Sequence, residues 1–269
     1  MRSIIALALL IALNAAIAVS IISPVSAQVG QESEILIGDV GPGQTFPIVA
    51  EPKVASGGRF SLGGAYDQMA ANSLPFGWSS TPSKIYSDPL QVDITVPKDT
   101  PNGEYEVQLS LWDEAGEQGL GENVTFNAKV KVTREVMDMK VEPASITVGA
   151  GQPARFTITI VNKGIAPDTF TVGSKGVRTW VFQRSVYIPS GTSKSLNYEV
   201  VGEDESDYSL TIWARSSSSD KIYAERDASL KVNTDLFSDY RAVNRGVLLF
   251  PIIEGPVYFV VGLLSNLLP

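Results

Sequence analysis

Four carboxylates fall within ten residues at Asp113, Glu114, Glu117 and Glu122, interleaved with Gly116, Gln118, Gly119 and Gly121. Oxygen-rich loops of this kind suit calcium, which takes six to eight hard oxygen ligands. The spacing is not that of an EF-hand, and acidic loop tips are commonly just solvated, so these four are weak calcium candidates. The run Glu203, Asp204, Glu205, Asp207 invites the same comparison less strongly. The chain contains no histidine and no cysteine. That removes Ser-His-Asp and Cys-His catalysis, ordinary zinc and copper sites, and any disulfide framework. No recognisable acid pair replaces them, so no enzymatic activity and no cofactor are expected.

Other candidates are contact groups. Asn123-Val124-Thr125 is a glycosylation sequon at a loop–strand junction. Residues 54–77 form an irregular stretch, long for a β-sandwich connection, and long loops carry function more often than short ones. Arg59, Tyr66 and Asp67 would be its contact groups. Trp78 and Trp180 are expected in the core, with sugar stacking as the alternative, while Trp112 and Trp213 close alternating strands and should be partly exposed. Glu254 lies inside an apolar segment, where an ionisable residue is a functional candidate. It would meet a partner helix, or sit at the outer interface behind Arg241 and Arg245.

The elements that must position these groups are strands. Phe156, Ile158 and Ile160 alternate with Arg155, Thr157 and Thr159, the period-2 pattern of a half-buried strand. Leu90, Val92, Ile94 and Val96 alternate in the same way, as do Tyr105, Val107, Leu109 and Leu111. Between them lie turn sequences such as Pro97 to Gly103. A helical turn is allowed only near Asp67 to Leu74. The pattern repeats: Gly43-Gln44 answers Gly151-Gln152, Trp78 answers Trp180, and Tyr105 answers Tyr208. Self-similarity near a hundred residues means tandem domains, and short strands with turns every 8–12 residues point to immunoglobulin-like β-sandwiches. The expected fold is therefore all-β, two tandem sandwiches over residues 34–133 and 134–233.

Apolar segments flank the pair. Residues 1–27 read as a signal peptide, with Arg2 as its charged start and Val25-Ser26-Ala27 as its cleavage site; an uncleaved anchor is the rival reading. A linker over 234–245 leads to an apolar tail over 246–268. As a straight helix these 23 residues would span about 34 Å against a ~30 Å hydrocarbon core. Its fourteen Val, Leu, Ile or Phe residues favour insertion by about 4–8 kcal/mol, against ~3 for one acidic residue. Pro251 and Pro256 would interrupt such a helix. The tail therefore crosses the membrane, dips into it, or docks on a partner, and the sequence leaves the three open. Acidic residues outnumber basic ones 29 to 21, for a net charge of −8, which argues against nucleic acid.

The second sandwich resembles the Ig-like modules of prokaryotic cell-surface proteins, the CARDB-like or α-galactosidase-associated domains. The residues that carry this are Pro143, Gly151-Gln152, Phe156 to Ile160, Asn162-Lys163-Gly164, Asp168-Thr169-Phe170, Trp180 and Ile188-Pro189-Ser190-Gly191. The first matches through Trp78 and Val96 to Tyr105 but lacks the Asn-x-Gly turn. The resemblance covers residues 40–233. It implies an archaeal surface protein with both domains outside the membrane, in a structural or adhesive role. An accessory subunit docking through its tail, or an extracellular glycan binder, are the alternatives. The expected partners are the membrane, envelope or membrane-complex proteins, or surface glycans.

Overall fold

The alternating segments pair into sheets in the computed structural model, which describes residues 18–233 except 61, 115, 117, 118, 121 and 122. The chain divides into two units, residues 1–133 and 134–269. The first contains β1 (Val19–Ser23), β2 (Ala27–Val29), β3 (Ser33–Val40), β4 (Thr45–Ala50), β5 (Lys53–Val54), β6 (Gly64–Ala65), β7 (Gln68–Ser73), β8 (Ser79–Thr81), β9 (Leu90–Thr95), β10 (Gly103–Trp112) and β11 (Val124–Val132). The second contains β12 (Met137–Glu142), β13 (Ser145–Val148), β14 (Pro153–Asn162), β15 (Asp168–Lys175), β16 (Gln183–Ile188), β17 (Ser193–Val201), β18 (Asp207–Ser216) and β19 (Tyr223–Val232). A 3-10 turn, Arg178–Trp180, precedes β16.

Each unit is a two-sheet sandwich. In the first, the sheets run β2-β1-β4-β9-β8 and β3-β11-β10-β7, with a small β5-β6 ribbon apart. In the second they run β12-β14-β17 and β13-β19-β18-β15-β16. Pairing is antiparallel except for β3 with β11 and β13 with β19. The inward sets are buried: Phe46, Ile48, Val92 and Ile94 from one sheet of the first unit, Leu109, Leu111, Phe126 and Ala128 from the other. Phe156, Ile158 and Ile160 meet Phe170, Val172, Ile212 and Leu230 in the second.

The repeated phrases have one job in both copies. Gly43 and Gly151 adopt φ of 81° and 70°, open to glycine at little cost. Each donates its N–H across the sandwich end, Gly43 to Val96 O at 3.1 Å and Gly151 to Gly202 O at 2.8 Å. Tyr105 and Tyr208 each donate their hydroxyl to a carbonyl four residues back, Pro101 O at 3.1 Å and Asp204 O at 3.2 Å. This is the tyrosine corner of Ig-like sandwiches. Trp78 and Trp180 pack on these tyrosines, with ring centroids 5.4 and 4.7 Å apart. Trp78 is buried as expected and Trp180 is half-buried.

The structure departs from the sequence reading in two places. Residues 68–73 form strand β7 rather than a helical turn, held by pairing to β10 from Gln108↔Ser73 to Trp112↔Gln68. The first sandwich also starts at Val19, not near residue 34. β1 pairs with β4 through Ile21↔Ala50 and with β2 through Val19↔Val29, and Val19, Ile21 and Val29 are buried. The apolar alternation Val19-Ser20-Ile21 thus forms a core-facing strand. No helix among the described residues is long and apolar enough to cross a membrane. The tail over 246–268, with Glu254, Arg241 and Arg245, lies outside them.

Candidate functional site

Strand direction gathers the connections β4–β7, β8–β9 and β10–β11 at one end of the first sandwich. β4 ends and β9 begins there, since Ala50 pairs with Leu90. β10 ends and β11 begins there as well, since Leu111 pairs with Val124. Residues 54–67 of the irregular stretch and the acidic loop 113–122 are therefore parts of one surface, which the sequence presents as two separate candidates; β7 then carries residues 74–77 to the other end.

Asp67 ties the surface together. It is buried, and its Oδ1 accepts the Glu114 N–H at 2.8 Å. Its own N–H reaches Trp112 O at 3.2 Å, and its carbonyl accepts the Tyr86 N–H at 2.8 Å. One residue so bonds all three connections. Lys53 adds an ion pair to Asp88 at 3.0 Å, exposed and of small energetic worth. Gly119 sits against Arg59: a Cβ there would come within 2.6 Å of Arg59 Cγ. Tyr66 is buried beneath.

The proposed contact groups thus divide. Arg59 is exposed, while Tyr66 and Asp67 build the frame. The exposed large apolar residues there were not among the candidates: Phe60 at 83%, Leu62 at 85%, Ile85 at 53% and Tyr86 at 71%. Their signal was available. Phe60 and Leu62 stand in Gly57-Gly58-Arg59-Phe60-Ser61-Leu62-Gly63-Gly64, where glycine pairs on both sides deny them a strand.

Two carboxylates at the start of the acidic loop accept N–H donors close by in the chain. Asp113 Oδ2 accepts the Gly119 N–H at 3.2 Å, and Glu114 Oε2 accepts the Trp112 indole N–H. Among the described residues no three acidic side chains converge as a metal site would require; Glu117 and Glu122 lie outside them. Asn123 is exposed just before β11. Trp112 and Trp213 are half-buried; Trp213 lies on Gly173, with the Arg215 guanidinium 5.5 Å from its ring centre.

Burial, with the Asp113 carboxylate adding to it, pushes the Tyr66 hydroxyl up to about 12, against an ordinary ~10. Between those values the unfolded chain loses this proton and the folded chain keeps it. Stability from Tyr66 is therefore complete below about pH 10 and falls as pH rises toward 12. Burial raises the Tyr198 and Tyr223 hydroxyls too, so an absorbance titration at 295 nm should show several tyrosines ionising late, and Tyr66→Phe should remove one of them. A curve unchanged by the substitution would contradict the assignment.

A second hollow lies in the other unit, about 780 Å³, lined by Trp180, Phe182, Leu196, Tyr198, Val201 and Tyr208 among others. It opens where β17 is an edge strand: its first-unit counterpart β9 is covered by β8, whereas β17 pairs only with β14. The aromatic rings pair with each other there, Phe182 with Tyr198 at 4.4 Å and Trp180 with Tyr208 at 4.7 Å. The Trp180 indole N–H donates to Val201 O at 3.0 Å.

Two sandwiches, each with a parallel pairing between its early strand and its last and each with a tyrosine corner, define an all-β protein of the Ig-like class. No family model matches the chain, and no curated protein matches it in sequence. Among solved structures it is similar to a chimeric titin Z1Z2 carrying a decorin-derived peptide, at 16% identity and TM-score 0.36, over 82% of this chain and all of that one. It is also similar to the PapD-like domain 7 of human CEP192, at 13% identity and TM-score 0.26, over 36% of this chain and 86% of that one. A β-glucosidase from Listeria innocua aligns at 11% identity and TM-score 0.26, over 37% of this chain and 16% of the enzyme.

Proposed function

We propose that this is a non-enzymatic cell-surface protein, exported and held at the membrane by its apolar tail, which uses the loop end of its first sandwich to adhere to an envelope protein. The CARDB-like resemblance and its archaeal surface setting belong to the same proposal. The observation that carries it is the set of exposed Phe60, Leu62, Ile85 and Tyr86 on loops pinned by buried Asp67. Large apolar side chains on a fixed frame lose little conformational freedom on binding, and aromatic residues such as Phe60 and Tyr86 are enriched in protein interfaces. Glycan recognition would call for more hydrogen-bonding groups than this apolar set offers. The described carboxylates Asp113 and Glu114 accept the Gly119 N–H and the indole N–H of Trp112 at the end of β10, which supports a structural role for them over acid–base chemistry.

The test is co-sedimentation of the full chain with host envelopes. Each apolar side chain that the envelope protein covers is worth about 1.5–3 kcal/mol, so Phe60→Ser with Leu62→Ser should weaken retention by at least about tenfold. The thermal midpoint should barely change, because both sites are exposed. Equal retention of the variant would sink the adhesive reading of this surface.

A further inference from the structure

β1 bears on where a leader ends. If the chain were cut after Ala27, the break would fall inside the β1–β2 hairpin, where Val19↔Val29, Ser20↔Gln28 and Ile21↔Ala27 are paired. Ser20 would be lost with it, although its carbonyl accepts the Glu51 N–H at 2.8 Å and its hydroxyl accepts from Gln28 Nε2 at 2.6 Å. Buried Val19 and Ile21 would leave the core, and one edge of β4 would be bared.

A second cleavage pattern stands nine residues upstream. Ala16-Ile17-Ala18 places small residues at the −3 and −1 positions, and Ala18 is exposed while Val19 is the first buried residue among the described ones. Counting from there, Arg2 is the charged start and Ile4 to Leu13 is a ten-residue apolar core, inside the usual 7–15. A leader ending at Ala27 needs its apolar core to run on to Ile22, longer than that range allows.

We infer that the leader is removed at the Ala18–Val19 bond, so that the mature protein begins with strand β1. Water adds across the amide: Ala18 departs as the carboxyl end of the leader, and Val19 keeps the new α-amino group. The catalyst is a leader peptidase of the exporting host. This rests on the proposal that the chain is exported.

The full chain, expressed in a secreting host, is recovered from the cell surface and read by intact mass and N-terminal sequencing. The expected mature end is Val19. Ala18→Arg should abolish processing, and Ala27→Arg should leave it unchanged. Exported protein beginning at Gln28, or processing blocked by Ala27→Arg alone, overturns the site and leaves export standing. Membrane-held protein that keeps Met1 overturns cleavage but not export. Unprocessed protein confined to the cytosol overturns both.

Discussion

Replacing Asn162 with alanine is expected to cost the second sandwich about 2–4 kcal/mol, as one or two buried polar groups lose their partner. Asn162 closes β14 and is fully buried. Its Nδ2 donates to Ala166 O at 2.8 Å, with Ile188 O at 3.1 Å and Pro189 O at 3.3 Å also in reach. Its Oδ1 accepts the Gly164 N–H at 3.1 Å. Alanine leaves these groups buried without that partner, and each unsatisfied group costs about 1–3 kcal/mol. Asn162→Asp should be no better, since it keeps the acceptor but sets a carboxylate against carbonyls. Neighbouring Lys163 is exposed, so Lys163→Ala should stay within about 0.5 kcal/mol. Denaturant unfolding followed by tryptophan fluorescence measures all three. An Asn162→Ala loss no larger than that of Lys163→Ala would refute the role assigned to the side chain.

A chain that begins at Gln28 is expected to lose a large part of the first sandwich's stability. Without Val19 and Ile21 the core forfeits about 3–6 kcal/mol, at about 1.5–3 per fully buried side chain, against a typical total of about 5–15. The bared edge of β4 also becomes a template for pairing with other chains. Each unit holds two of the four tryptophans, so Trp78 and Trp112 report the first transition and Trp180 and Trp213 the second. The first midpoint should fall, with aggregation on concentration, and the second should hold. Equal first midpoints for chains beginning at Val19 and Gln28 would mean that β1 contributes nothing.

Strands with one wet face were legible in the sequence. Leu90 to Val96 and Arg155 to Ile160 alternate cleanly because one side packs on the partner sheet and the other meets water. β1 was hidden because Val19 and Ile21 continue an apolar run, and period-2 alternation disappears into uniform hydrophobicity. β7 was hidden for a different reason. Met69, Ala70 and Ala71 are good helix formers by intrinsic preference, and pairing with β10 overrides it. At the loop end, length marked the segment but composition misassigned its members. Tyr66 and Asp67 look like contact groups and Phe60 and Leu62 look like core. Which of them faces water depends on strand ends that meet only after folding, and no local pattern records that.

The parallel pairing of β3 with β11 also has a mechanical side. Ser33 stands opposite Phe126 and Val40 opposite Val132, so the start of β3 and the end of β11 lie at opposite ends of the pair. Tension applied between those two points acts along the strands and loads the paired residues in shear, together, where a hairpin pulled by its ends would unzip one rung at a time. The shorter β13–β19 pairing, from Ser145↔Ser229 to Val148↔Val232, has the same geometry with fewer rungs.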